Sequence, residues 1–397
     1  MYRWIGVLLI AFVAACNKPA PVPLAVTELP TPAARDSLAP NLSVSPDGHV
    51  LLSWLEPGAD GEFALRFSLH GNEGWSAPQT ITTGKDWFVS GADYPSVAFM
   101  ADGTMVANSL IATNLIAEAY NTNIFMSHDN GATWSAPVSL HRDTKERQHG
   151  FVSFVPAPDG HLGAIWLDGR NLSEEAVGDM ALLFASIGKD GSITDETTLD
   201  PRVCECCQTS AAATADGMIA VYRDRSPDEV RDIWVTRFAD GKWSTPAPVA
   251  EDGWKIEGCP VNGPAVASNG KNVAVAWLTL VDEKPQVRLA LSTDAGQSFG
   301  KPIKIDDGNP KGHVDVASLE SGEAIVSWVE RADQKSELRI RRVESNGSVG
   351  PALAVSGAAG VQPDAFPRIK RSGDDLFLTW TASGEQPRVQ TASVKLQ

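Results

Sequence analysis

From Ala39 onward the chain repeats one pattern of apolar and polar positions. Each unit opens with a short alternating stretch, turns at a Gly, and continues into a more uniformly apolar run that ends near a Trp. Pro40-Asn41-Leu42-Ser43-Val44, Asp47-Gly48 and Leu51-Leu52-Ser53-Trp54 form one unit. Gly263-Pro264-Ala265-Val266 with Ala274-Val275-Ala276-Trp277 forms another, and Val326-Ser327-Trp328-Val329 and Leu378-Thr379-Trp380 repeat its second half. Period-two alternation marks a strand with one buried face, and short continuous apolar runs mark strands buried on both. A third strand, a tight turn and a short fourth strand complete each unit. Units start near Ala39, Tyr94, His149, Cys206, Val261, Gly312 and Phe366, about 51 to 57 residues apart. That length holds four short strands with their turns. A unit that cannot bury its apolar face alone stacks on its neighbours. The pattern therefore predicts an all-β fold, a β-propeller of seven four-stranded blades. The seventh unit has three strands, and residues 22–29 are the predicted fourth. That strand closes the ring by pairing the two ends of the chain, which covers an open edge. Only residues 112–120 show weak helical character.

The first residues follow other rules. Arg3 precedes an apolar run over 4–13, too short to span a bilayer. Val13-Ala14-Ala15-Cys16 resembles the bacterial lipobox. The resemblance implies a signal peptide over 1–15, lipid on Cys16, a lipid-anchored tether and closing strand over 16–38, and a propeller over 39–397. A plain signal peptide with an incidental Cys is the alternative. Acyl chains on Cys16 would hold the protein at a membrane. Asn17 after the Cys, by resemblance to Gram-negative sorting, implies the outer membrane and hence a place in the cell envelope. Cleavage before Cys16 removes Arg3 and no acid, moving the formal charge from −16 to −17. That balance opposes binding to nucleic acid.

Ser127-His128-Asp129-Asn130-Gly131-Ala132-Thr133-Trp134 matches the Asp-box, and Ser292-Thr293-Asp294-Ala295-Gly296-Gln297-Ser298-Phe299 matches it with Phe for Trp. In such a turn the Asp accepts backbone N–H bonds, Gly takes positive φ and the ring packs. By these boxes the chain resembles the sialidase-like, or BNR-repeat, propellers. The boxes join third and fourth strands and carry structure, not chemistry. Propellers of that family usually have six blades, so six is the alternative count.

Loops leading into first strands and loops joining second to third strands share one face of a propeller. That face collects the unusual residues. Four cysteines remain after Cys16: Cys204, Cys206, Cys207 and Cys259. In an exported protein they read as disulfides. Adjacent Cys206 and Cys207 cannot easily pair, so Cys259 bridges to one of the three. A soft-metal site for copper or zinc, with His149 or His313 adding imidazole, and a redox-active thiol are the alternatives. On an extended strand Cys204 and Cys206 would share a side, with Cys207 opposite. Asp168, Arg170, Arg223, Arg225, Arg231 and Asp232 form arginine–aspartate pairs suited either to an anionic group or glycan, or to salt bridges within the chain. The family resemblance implies an arginine cluster for a substrate carboxylate, a Tyr–Glu nucleophile pair and an Asp acid. Tyr222 with Glu205 or Glu229, and Asp224, are the matching candidates. The family's Phe/Tyr-Arg-Ile-Pro motif falls near Ser37-Leu38-Ala39-Pro40, where Pro40 is kept and the Arg is absent. Recurrent Trp54, Trp166, Trp277, Trp328 and Trp380 read as core, whereas Trp87 and Trp254 lie in loops open to stacking. Three functions follow: a ligand-binding lipoprotein, a sialidase-like hydrolase of an acidic sugar, or a copper-handling or redox protein using the cysteines.

Overall fold

A computed structural model describes residues 24–114, 119–173, 178–332, 335–357 and 360–396. The predicted signal peptide, 1–15, and Cys16 lie outside these residues. Seven antiparallel sheets follow one another along the chain, and each runs outward from its first strand. The innermost strands are Leu38–Val44, Val97–Phe99, His149–Pro156, Ser210–Thr214, Ala265–Asn269, Pro310–Ser318 and Arg368–Ser372. Each predicted unit start falls within a few residues of one of them. Together they line a central cavity of about 650 Å³. The seventh sheet is completed by Val26–Leu29, which pairs antiparallel with Arg388–Lys395, Val26 opposite Val394 and Leu29 opposite Thr391. The seven-bladed count and the closing strand are as the repeat pattern predicts.

The helical reading of 112–120 does not hold for its described residues. Met105–Asn114 and Ala119–Ser127 are neighbouring strands, with Ala112 opposite Tyr120. Pairing across the blade overrides a weak local helix preference. Among the described residues the one helix is a three-residue 3-10 turn, Ala59–Gly61, and no helix is long and apolar enough to cross a membrane.

The core lies between blades. Leu52 and Trp54 of blade one pack with Phe377 and Val389 of blade seven. Trp54, Trp166, Trp277 and Trp328 are fully buried and Trp380 nearly so. Truncating such a ring costs about 3–5 kcal/mol. Residues i and i+2 of a strand share a face, and the sequence uses this to satisfy the indoles. Trp54 donates to Glu56 at 3.0 Å, Trp166 to Asp168 at 2.9 Å and Trp328 to Glu330 at 2.6 Å. Trp87 and Trp254 are also buried, because their loops fold down onto the blades.

Both Asp-boxes form the expected turns. Asp129 accepts from the Thr133 backbone N–H at 2.9 Å and from its hydroxyl at 2.6 Å, while the Ser127 hydroxyl takes the Gly131 N–H at 2.8 Å. Gly131 has φ +87°, and a Cβ there would sit 2.3 Å from the Phe67 ring of blade one. The second box, around Asp294, repeats these bonds. These turns lie on the face opposite the cysteine loop.

Candidate functional site: a sulfur centre on the upper face

The upper face, defined by the loops into first strands, carries the sulfur chemistry. Residues 204–207 join Ile193–Val203, the outer strand of blade three, to Ser210–Thr214, the inner strand of blade four. The segment turns instead of extending, which overturns the expected arrangement of the cysteines. Cys206 forms a disulfide with Cys259, tying the loops that lead into blades four and five. Cys204 and Cys207 are free thiols, both buried, with Sγ atoms 3.3 Å apart. The Cys204 Sγ is also 3.9 Å from the Cys206 Sγ. Cys259 is exposed and Cys206 half-buried, so the disulfide has one edge in solvent.

The two free thiols are held in different states. The Cys207 S–H donates to Cys204 and lowers the Cys204 pKa to about 6 against the cost of burial. The Arg223 charge, a backbone N–H and Arg231, whose Nη1 lies 3.3 Å from the sulfur, add to this. Burial pushes the Cys207 thiol well up, and the neighbouring Cys204 pushes it further. The pair is therefore one thiolate and one thiol sharing a proton near neutral pH.

The arginines divide into three places. Arg231 is buried and bonds Glu205 and Glu229, each at 2.9 Å, besides Cys204. Arg225 bonds the same Glu229 at 2.8 Å, and its guanidinium holds that carboxyl down near 2. Arg223 is buried and meets no acid among the described residues, donating instead to the backbone carbonyls of Asn262, Arg231 and Leu278 and lying 4.8 Å from the Trp254 ring. Arg170 sits in blade three, forked onto Asp168 and bonded to Glu196 at 2.9 Å. Asp232 accepts the N–H groups of Gly253 and Trp254. The four guanidinium groups thus do not share one pocket, and each meets acids or carbonyls of its own chain.

Tyr222 is fully buried, and its hydroxyl donates to Asp200 at 2.6 Å. Neither Glu205 nor Glu229 is its partner. Burial, then the Asp200 charge, raises the Tyr222 pKa. Burial also pushes Asp224 up to about 7, with Asp200 adding to it. Blade two holds a second buried pair, Tyr120 donating to Asp93 at 2.7 Å, and burial raises Asp93 to about 7. Asp200 escaped the sequence reading because it sits on an outer strand, remote from Tyr222 along the chain.

The two histidines lie apart. His313 stacks on Phe366 at 4.0 Å and bonds the Ala365 carbonyl through Nδ1, and burial lowers its pKa to about 4. It lines a cavity of about 470 Å³ together with Trp254, Val261, Lys311, Arg331 and Phe366. Pro260 and Asn262 also line this cavity, directly after Cys259, so it adjoins the disulfide. His149 is buried in blade three between Asp143 and Asp168.

Residues 56–252 match the BNR repeat-like domain family, in agreement with the Asp-box resemblance. No curated protein matches the sequence. Among solved structures, a protein of unknown function from Dyadobacter fermentans aligns at 12% identity over 95% of this chain and 99% of that one, with a TM-score of 0.52. The polysaccharide lyase Uly1 aligns at 11% identity over 90% and 89%, TM-score 0.56. An α-L-arabinofuranosidase from Fusarium graminearum aligns at 14% identity over 93% and 96%, TM-score 0.50. At these identities the likeness is one of fold.

Proposed function

We propose that this chain, a propeller with a BNR repeat-like domain over residues 56–252, is a thiol–disulfide exchange protein of the cell envelope, held to the outer membrane through lipid on Cys16. One observation carries the reading: the Cys204 thiolate lies in van der Waals reach of both a thiol and a disulfide. Thiolates attack disulfide sulfur, at rates set by thiolate fraction and access. The Cys204 sulfur bonds to Cys206 as the Cys206–Cys259 bond breaks and Cys259 leaves as a thiolate. Cys207 gives its proton to a released thiolate and attacks Cys204. The Cys204–Cys207 disulfide forms and Cys206 is freed. Two electrons have then moved from a buried pair to an exposed one, where Cys259 meets thiols or disulfides of other molecules.

Graded glutathione redox buffers, acid quenching, alkylation and peptide mass spectrometry test this. The Cys204–Cys207 disulfide should grow as Cys206 and Cys259 become alkylated, and Cys207→Ser should trap a Cys204–Cys206 bond. If Cys206–Cys259 opens and closes while Cys204 and Cys207 stay thiols throughout, exchange is ruled out. Stoichiometric copper or zinc on a chain with all four cysteines reduced would instead mark a soft-metal site.

The 470 Å³ cavity supports a second reading, an anionic sugar or other small anion held at the same face. Arg331 and Lys311 supply positive charge, of which Asp364 on the same wall offsets part, and Trp254 and Phe366 supply apolar lining. A panel of acidic oligosaccharides tests it by calorimetry: binding lost in Arg331→Ala supports the site, and no binding across the panel removes it. The hydrolase alternative lacks a converging arginine cluster and has Asp200, not a Glu, beside Tyr222.

A further inference from the structure

At the upper ends of blades two and three, away from the sulfur centre, lies a compact group of two histidines and two aspartates. His149 is fully buried, and its Nε2 lies 3.2 Å from Asp143 Oδ2 and 3.8 Å from Asp168 Oδ1. The three donor atoms lie within 4.8 Å of one another. His141 is 5% exposed and stacks on His149, rings parallel at 3.7 Å. Among the described residues His149 Nδ1 has no hydrogen-bond partner, and for hydrogen bonding the His141 ring is met only by the backbone of Asp143. Buried polar nitrogens left unpaired are costly and call for an explanation such as a bound ion or water. Stacking without hydrogen bonds does not supply one.

We infer that this group is a binding site for one divalent transition-metal cation of borderline hardness, such as Mn²⁺ or Zn²⁺, held by His149 Nε2 and the carboxylates of Asp143 and Asp168. Imidazole with carboxylates is the donor set such ions take, and Mn²⁺ in particular favours oxygen and nitrogen over thiolate. The surroundings already do what outer partners of metal ligands do. Trp166 and the Arg170 fork fix both oxygens of Asp168. Glu196 in turn neutralises Arg170. Three carboxylates then stand against one guanidinium, and the two negative charges left over match a divalent ion. Lys145 and Arg142, both exposed, are turned to the carbonyls of Arg170 and Ile193.

Titration calorimetry and electron paramagnetic resonance with Mn²⁺ on the purified full chain read this site apart from the thiols. One Mn²⁺ per chain is expected, unchanged in Cys204→Ser and Cys207→Ser, and weakened at least tenfold in His149→Gln and in Asp143→Asn. Asp143 lies at the edge of the group, so its variant keeps the test open if the buried His149 variant does not fold. Absence of stoichiometric Mn²⁺ and Zn²⁺ binding by the folded chain overturns the inference. So does binding that survives either substitution in a folded variant.

Discussion

Replacing Cys207 probes the sulfur centre most directly, because its S–H is the largest influence holding Cys204 ionised. The Cys204 pKa falls from 9.0 to about 6, three units, or about 4 kcal/mol of preference for the thiolate. Four influences lower it, and burial opposes them. The Cys207 S–H is the largest of these influences. Cys207→Ala deletes the donor and should raise the Cys204 pKa back toward the ordinary thiol value. The thiolate fraction at pH 7, about nine-tenths for a pKa near 6, would fall. Cys207→Ser keeps an O–H donor at the same place and should leave the value near 6. The assay is thiolate ultraviolet absorbance against pH, referenced to Cys204→Ser. The linkage has a definite sign. The folded pKa is depressed, so the stability from this thiolate is complete above about 9 and is lost as pH falls through 6. Equal Cys204 titrations in Cys207→Ala and Cys207→Ser would rule out the Cys207 S–H as the group that holds Cys204 ionised.

Arg223→Met should destabilise the fold by about 3–5 kcal/mol in a denaturant titration, since three buried carbonyls lose a charged donor. Little loss of stability together with loss of anion binding would instead make Arg223 a ligand residue. The Asp93 pKa is raised from 3.8 to about 7, so the stability that goes with its neutral form is complete below about pH 4 and lost as pH climbs through 7. Asp93→Asn should remove up to about 4 kcal/mol of that slope, read from unfolding free energies at pH 4 and 7.5. Deleting residues 24–29 uncovers the Arg388–Lys395 edge and should lower the melting temperature and promote aggregation seen by light scattering; an unchanged melt would show that ring closure does not need this strand.

Local pattern carried the fold. Alternation and Gly turns repeat within each blade, so blade count, strand starts and the closing segment are written in neighbouring residues. The i, i+2 pairing of Trp166 with Asp168 is local too, and it shows that Asp168 serves the core as well as the upper face. The site was legible in residue types and not in partners. Cys259 lies 53 residues from Cys206, and nothing between them says which of three cysteines it meets. Reading 204–207 as a strand placed Cys207 on the wrong side, because a turn brings residues three apart together. Arg223 finds backbone carbonyls, which every sequence offers everywhere. His141 and Asp143 sit in a loop after blade two with no motif around them, and only the packing of blade three brings His149 between them.

The direction of the closing strand has a consequence for how the molecule stands. Val26 faces Val394, at the end of blade seven that shares a face with the Asp-box turns, so the chain leaves the ring on the side opposite the cysteines. Nine residues separate Cys16 from Val26 in the sequence, a span of at most roughly 35 Å. With lipid on Cys16 the disc would rest turn-side down near the bilayer and hold its thiols outward, toward soluble molecules. A bulky thiol reagent should then reach reduced Cys259 as quickly on vesicle-bound protein as on protein in solution; strong protection by the vesicle would mean the disc lies the other way up.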